Sequence, residues 1–128
     1  MKSYIKKLLN ESMNNRVLMG KFIDFVVDYL SLSKNFKVRL TRDKVDIVTT
    51  AYYEIDNNIV CVYIKDRAIV DVMRSVAHEL VHHSQNENGE LVGDPSEGAD
   101  GSDLENHANA KAGEIIRIFG KQNPEIYG

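Results

Sequence analysis

His78, Glu79 and His82 stand in the order H-E-x-x-H, and that spacing asks for an α-helix. At 100° per residue, positions i and i+4 lie about 40° apart around the axis and one turn apart along it, so both imidazoles can reach one ion. Glu79 lies about 60° from His82, beside such an ion rather than under it. With His78 set at 0°, Ile69, Met73, Val76 and Leu80 fall at about 160–220°. The spacing therefore predicts a helix from Asp66 to about Gln85 that buries one side and turns both histidines the other way.

The surrounding chain switches period twice. Residues 2–13 read as a short amphipathic segment. From Arg16 to Leu32 the residues Val17, Leu18, Phe22, Phe25, Val26, Tyr29 and Leu30 recur at helical spacing. Gly20 interrupts them at a cost of about 1 kcal/mol against Ala. Phe36, Val38 and Leu40 then alternate with Lys37 and Arg39, which predicts a half-buried strand. Val45 to Ile55, rich in β-branched and aromatic residues, predicts a second strand. Asp56-Asn57-Asn58 is a turn signal, and Ile59 to Ile64 a third strand, forming a hairpin with the second. After the H-E-x-x-H helix, Asn86 to Gly101 reads as an acidic, glycine-rich loop, and Leu104 to Phe119 as a last helix stopped at Gly120. The expected fold is α+β. A small three-stranded, mainly antiparallel sheet packs on an N-terminal helix, the H-E-x-x-H helix and a C-terminal helix.

A chain of 128 residues fits a single domain, residues 1–128, and is long enough to bury a core unaided. Its net charge of −3 argues against a general nucleic-acid binder. Lys34, Lys37, Arg39, Arg42 and Lys44 read as a solvated strand surface, with nucleic acid the minor alternative. The one cysteine, Cys61, excludes an internal disulfide framework and has nothing in sequence to lower its pKa. No apolar run approaches the ~20 residues of a membrane span, and the basic start lacks the apolar stretch of a signal peptide. A cytoplasmic protein is the expectation.

A catalytic zinc takes three protein ligands and a water. The metzincin pattern H-E-x-x-H-x-x-G-x-x-H is not met, because Gln85 and Asn88 replace its glycine and third histidine. Candidates for the third ligand are Asp94, Glu97, Asp100, Asp103, Glu105 and His107. On a helical wheel Glu105 shares its stripe with Ala108, Ala112, Ile115, Ile116 and Phe119, whereas His107 falls about 200° away with Lys111 and Glu114. A carboxylate on an apolar stripe needs a partner, and small residues at 108 and 112 let a neighbouring helix approach. The competing reading is a capping box, Ser102-x-x-Glu105, with Glu105 at the third helical position.

His78-Glu79-Leu80-Val81-His82 followed by Glu105-Asn106-His107-Ala108-Asn109 resembles the gluzincin zinc metallopeptidases. It is most similar to their minimal single-domain members, including small ones encoded by phages. The resemblance covers Thr49 to about Phe119. It implies His78, His82 and Glu105 as zinc ligands and Glu79 as general base in peptide-bond hydrolysis. Where many gluzincins carry an aspartate that orients a ligand histidine, this chain has Asn109. The oxyanion-stabilising Tyr or His of the family does not map; Tyr52, Tyr53, Tyr63, Tyr127, His83 and His107 are all open. His83, at the margin of the apolar arc, reads as a packing residue.

The expectation is thus a zinc-dependent metalloendopeptidase acting on a peptide or protein substrate, in a host cytoplasm or a virion if phage-encoded. The alternatives are a non-catalytic zinc-binding module, such as a phage structural component, and a latent enzyme whose tail, Pro124 to Gly128, fills its cleft. Nothing in the sequence fixes an oligomeric state.

Overall fold

The computed structural model describes residues 2–43, 50–91 and 101–128. The elements run α1 (Lys2–Leu30), β1 (Lys37–Thr41), β2 (Ala51–Glu54), β3 (Ile59–Tyr63), α2 (Ile69–Glu87) and α3 (Asp103–Gln122), closed by a short 3-10 helix, Pro124–Tyr127. The α+β class is as the periodicities require.

The two helical segments expected before Ser33 are one continuous helix, α1, which passes Gly20 without a break. It turns Met19, Phe22, Val26 and Val27 into the core and leaves Val17 63% exposed. Val17 lies about 200° around the axis from Met19, so the two cannot share a buried stripe. The helix stops because Ser31 takes a left-handed φ of 54°. Leu32 N–H then donates to Val27 O at 2.9 Å and Ser31 N–H to Asp28 O at 3.3 Å, which satisfies two terminal carbonyls, and Leu32 is buried beneath the turn.

The sheet order is β1-β3-β2. Antiparallel pairing of β2 with β3 aligns Ala51 with Val62 and Glu54 with Ile59, the hairpin expected from the sequence. Its turn is eased by Asn58, at φ 53°, a residue that tolerates this region. By contrast, β1 runs parallel to β3, Lys37 opposite Ile59 and Thr41 opposite Tyr63. The sheet is therefore mixed rather than mainly antiparallel. Alternation in a strand fixes which side chains share a face, but not the direction of its neighbour. The described part of the second strand is shorter than expected, and residues 45–49 of that expectation lie outside the described residues. Leu40 is exposed, unlike Val38. Val60 and Val62 point at the helices. Cys61, buried on the opposite face, lies in register between Arg39 and Tyr52.

The helix α2 is buried on more than one side. Val72, Met73, Val76, Ala77 and Leu80 enter the core, but Glu79, Val81, His82, His83 and Gln85 are buried as well. The histidines lie opposite the apolar arc as the wheel requires, and α3 packs over that side with Ala108 and Ala112 buried, as its small residues allow. The stripe of α3 is as the wheel predicts, with Ala108, Ala112, Ile115, Ile116 and Phe119 buried and His107 exposed.

Phe22 meets Phe119 edge to face at 5.0 Å between centroids and joins α1 to α3. Phe22→Ala should destabilise the fold by about 3–5 kcal/mol, whereas Val17→Ala should stay within about 0.5 kcal/mol. Urea midpoints of the two variants against wild type check the rotation of α1; a larger loss at Val17 would contradict it.

Candidate metal centre

Two helices build this site. On α2, His78 and His82 stand one turn apart, their rings 4.8 Å between centroids and nearly perpendicular. On α3, Ser102 caps the first turn by accepting from Glu105 N–H at 3.2 Å. This is the serine half of the capping box. The Glu105 side chain does not complete the box but reaches across to α2. Its Oε1 is 2.7 Å from His78 Nε2 and its Oε2 is 3.0 Å from His82 Nε2. Glu79 Oε1 is 4.0 Å from His78 Nε2, while Glu79 Oε2 is buried with no hydrogen-bond partner.

The donor atoms of His78, Glu79 and His82 lie within 4.8 Å of one another, so this group could hold a metal ion. Asp103, on the first turn of α3, and His107 are both exposed, and neither belongs to that group. Asp94, Glu97 and Asp100 lie outside the described residues.

Gln85 fixes the state of His82. Its Nε2 donates to Leu104 O at 2.9 Å, which turns its Oε1 toward His82 Nδ1 at 2.8 Å. An amide oxygen only accepts, so His82 Nδ1 carries a proton, and in the neutral ring Nε2 presents its lone pair to Glu105. Two acceptors 3.0 Å apart require a proton or a cation between them. Burial, the largest effect, holds the His78 pKa below its ordinary value against the opposing pull of Glu105, and the Asn109 side chain hydrogen-bonds that ring. A neutral imidazole is the form that ligates a metal. Burial, reinforced by the Glu105 charge, pushes Glu79 up to about 8. An unpartnered buried carboxyl beside inward-pointing ring nitrogens fits a divalent cation, which would favour its charged form. Neighbouring ligands of a tetrahedral zinc stand about 3.3 Å apart, so Glu105 would need to withdraw by a few tenths of an ångström.

Gln85 was legible in the sequence only as a departure from the metzincin pattern. Its role appears once α3 brings Leu104 alongside. Its Nε2 is also 3.3 Å from His107 Nδ1, a contact that ties His107 to this amide.

His83 is fully buried against Phe36 and Tyr53. Its Nδ1 is 2.8 Å from Tyr53 OH, and its Nε2 faces Asn35 Oδ1 at 3.1 Å and Glu87 Oε1 at 3.4 Å. Asn86 Nδ2 donates to Tyr53 OH at 2.9 Å. This network ties α2 to the hairpin and to the segment before β1. It engages the polar atoms of Tyr53 and His83, both candidates for an oxyanion partner. Tyr52 hydrogen-bonds Cys61, and Tyr127 lies over Gly120 near the end of α3.

No family model matches the chain, and no curated protein or solved structure shows significant similarity to it.

Two outcomes follow, the first for the metal-free protein and the second for metal binding. Glu79 keeps its proton to about pH 8 when folded but ionises near 4.5 when unfolded. The folded state thus binds the extra proton between these values, and this group's contribution to stability falls as pH rises through the window. Urea midpoints at several pH values, in chelator, should show wild type losing stability relative to Glu79→Gln from acid to pH 8; a relative gain would contradict the burial of Glu79. Gln85→Leu should weaken metal binding about 10–100-fold through loss of the His82 tautomer, read by competition with a chromophoric chelator. Unchanged affinity would remove Gln85 from the site.

Proposed function

We propose that the chain is a zinc-dependent metallopeptidase in which His78, His82 and Glu105 hold the metal and Glu79 is the general base. One observation carries this reading: His78 Nε2 and His82 Nε2 each meet an oxygen of Glu105, and the buried Glu79, one oxygen unpartnered, groups with the same two histidines. Zinc, when bound to such a set, supplies polarisation of a carbonyl and a lowered water pKa.

The chain's own residues supply the rest. Gln85 and Asn109 orient the two imidazoles. Glu79 is protonated at neutral pH in the metal-free state, and a neighbouring dication favours the carboxylate that a base requires. Its carboxylate then takes a proton from the attacking water and delivers it to the leaving amine. The strand β2 forms one edge of the described sheet. An extended peptide laid along Ala51–Glu54 would gain main-chain hydrogen bonds there.

The burial of Glu79 and His82 favours a second reading, a closed structural metal site without turnover. A latent form blocked by the tail has less support. The 3-10 helix Pro124–Tyr127 follows the C-terminal end of α3, about 25 Å along the helix from Glu105, and Ile126 is buried there.

A peptide-library digest with zinc-loaded protein separates the readings. Wild type should cleave, and Glu79→Gln should retain zinc while losing about 10²–10⁴-fold in rate or more. Equal cleavage by both would remove Glu79 as base. Zinc retention without cleavage by either would establish the structural site. Glu105→Ala should lose both zinc and cleavage, while His107→Ala should change metal affinity little.

A further inference from the structure

On another side of the molecule, a groove of about 760 Å³ lies between α1, the ends of β1 and β3, and the start of α2. None of the residues of the candidate metal centre lines it. Met19, Leu40, Ile64 and Val72 give it an aliphatic floor. Around that floor stand Arg16 from α1, Arg42 from the end of β1, and Lys65 and Arg67 from the connection between β3 and α2. Asp66 is the one acidic residue among the described lining. In a chain with net charge −3, this is a local reversal of sign.

None of the four cations makes an ion pair with a described residue. Arg67 is nonetheless fixed. Its Nη1 donates to Tyr63 O at 2.7 Å, and its Nη2 to Asp71 O at 3.0 Å and Ser75 Oγ at 2.8 Å. All three acceptors are neutral, so the guanidinium is held in place without an ion pair to any described carboxylate. A pre-oriented guanidinium loses little freedom on meeting a carboxylate. Arg16, Arg42 and Lys65 are exposed and free to close over a bound chain.

The lining also discriminates among anions. Its described lining contains no aromatic side chain on which a base could stack and no glycine to bring backbone N–H groups to a phosphate. Cations drawn from three separate elements surround the floor instead of converging on one point. That arrangement suits several carboxylates spaced along a backbone, with an aliphatic side chain between them.

We propose that this groove is a docking site for an acidic peptide segment of a partner protein, with leucine-like side chains on the floor and Asp or Glu on the rim. The site is independent of any hydrolytic activity. Its test is fluorescence anisotropy of the full-length protein with a dye-labelled peptide of alternating glutamate and leucine. The same peptide with lysine for glutamate and a labelled oligothymidylate serve as comparisons. The glutamate peptide should bind saturably and weaken as salt rises from about 50 to about 200 mM. Arg16→Glu with Arg42→Glu should weaken it about tenfold or more. Lys34→Glu with Lys37→Glu, the same charge change elsewhere, should leave it unaltered. Amide NMR shifts should move at Leu40, Ile64 and Val72. The proposal is overturned if the glutamate peptide fails to bind at about 1 mM, if the lysine peptide binds as well, if the groove reversal has no larger effect than the control, or if only the oligonucleotide binds.

Discussion

Ionisable groups buried between two helices cost stability unless each finds a partner, and the contact of α2 with α3 is organised around that cost. His78, Glu79, His82 and Glu105 all lie at this seam. Ala108 and Ala112 are small enough to bring the helices together, and both are buried. Glu105 is drawn to α2 because its stripe on α3 offers only apolar neighbours. Among the described residues, Glu79 Oε2 is the buried side-chain oxygen left without a hydrogen bond. The seam thus concentrates its unsatisfied polarity at a single place, where a cation would compensate it.

The rest of the fold holds that seam in register. The sheet and α1 cover the apolar side of α2, and the network of His83, Tyr53, Asn86 and Asn35 locks its last turns to the hairpin. Gly89, at φ 75°, ends the helix just beyond Gln85, with Glu90 N–H on Gln85 O at 2.8 Å. Gln85 is therefore held at both its backbone and its side chain. A histidine gripped through Nδ1 by such a residue keeps one tautomer and one orientation, as ligation through Nε2 requires. The cationic groove lies toward the other end of α2, so two separate surfaces hang on one helix.

Much of this was legible in the sequence, and the gaps have physical causes. Period and turn chemistry gave the three helical regions, the hairpin and the α3 stripe, because these are local properties. The apolar wheel placed Glu105 among buried residues and His107 outside, as found. Strand order and the parallel pairing of β1 were not legible, since alternation carries no information about a neighbour's direction. The packing of α3 over the histidines was legible from Ala108 and Ala112, but the partners of His83 and Gln85 on β2, α3 and the segment before β1 were not, because polar residues carry no periodic signal of what they meet. Gln85 in particular has meaning only beside Leu104, nineteen positions on in the chain.

The central claim is that two histidines and Glu105 share one metal. X-ray absorption at the zinc edge of the reconstituted protein tests it most directly. The account predicts a shell of low coordination number with two imidazole nitrogens at about 2.0–2.1 Å and carboxylate oxygen at about 2.0–2.2 Å, the imidazole scattering falling by half in His82→Ala and the carboxylate oxygen lost in Glu105→Ala. A spectrum of hydrated zinc without imidazole scattering, or one unchanged by either substitution, would contradict it.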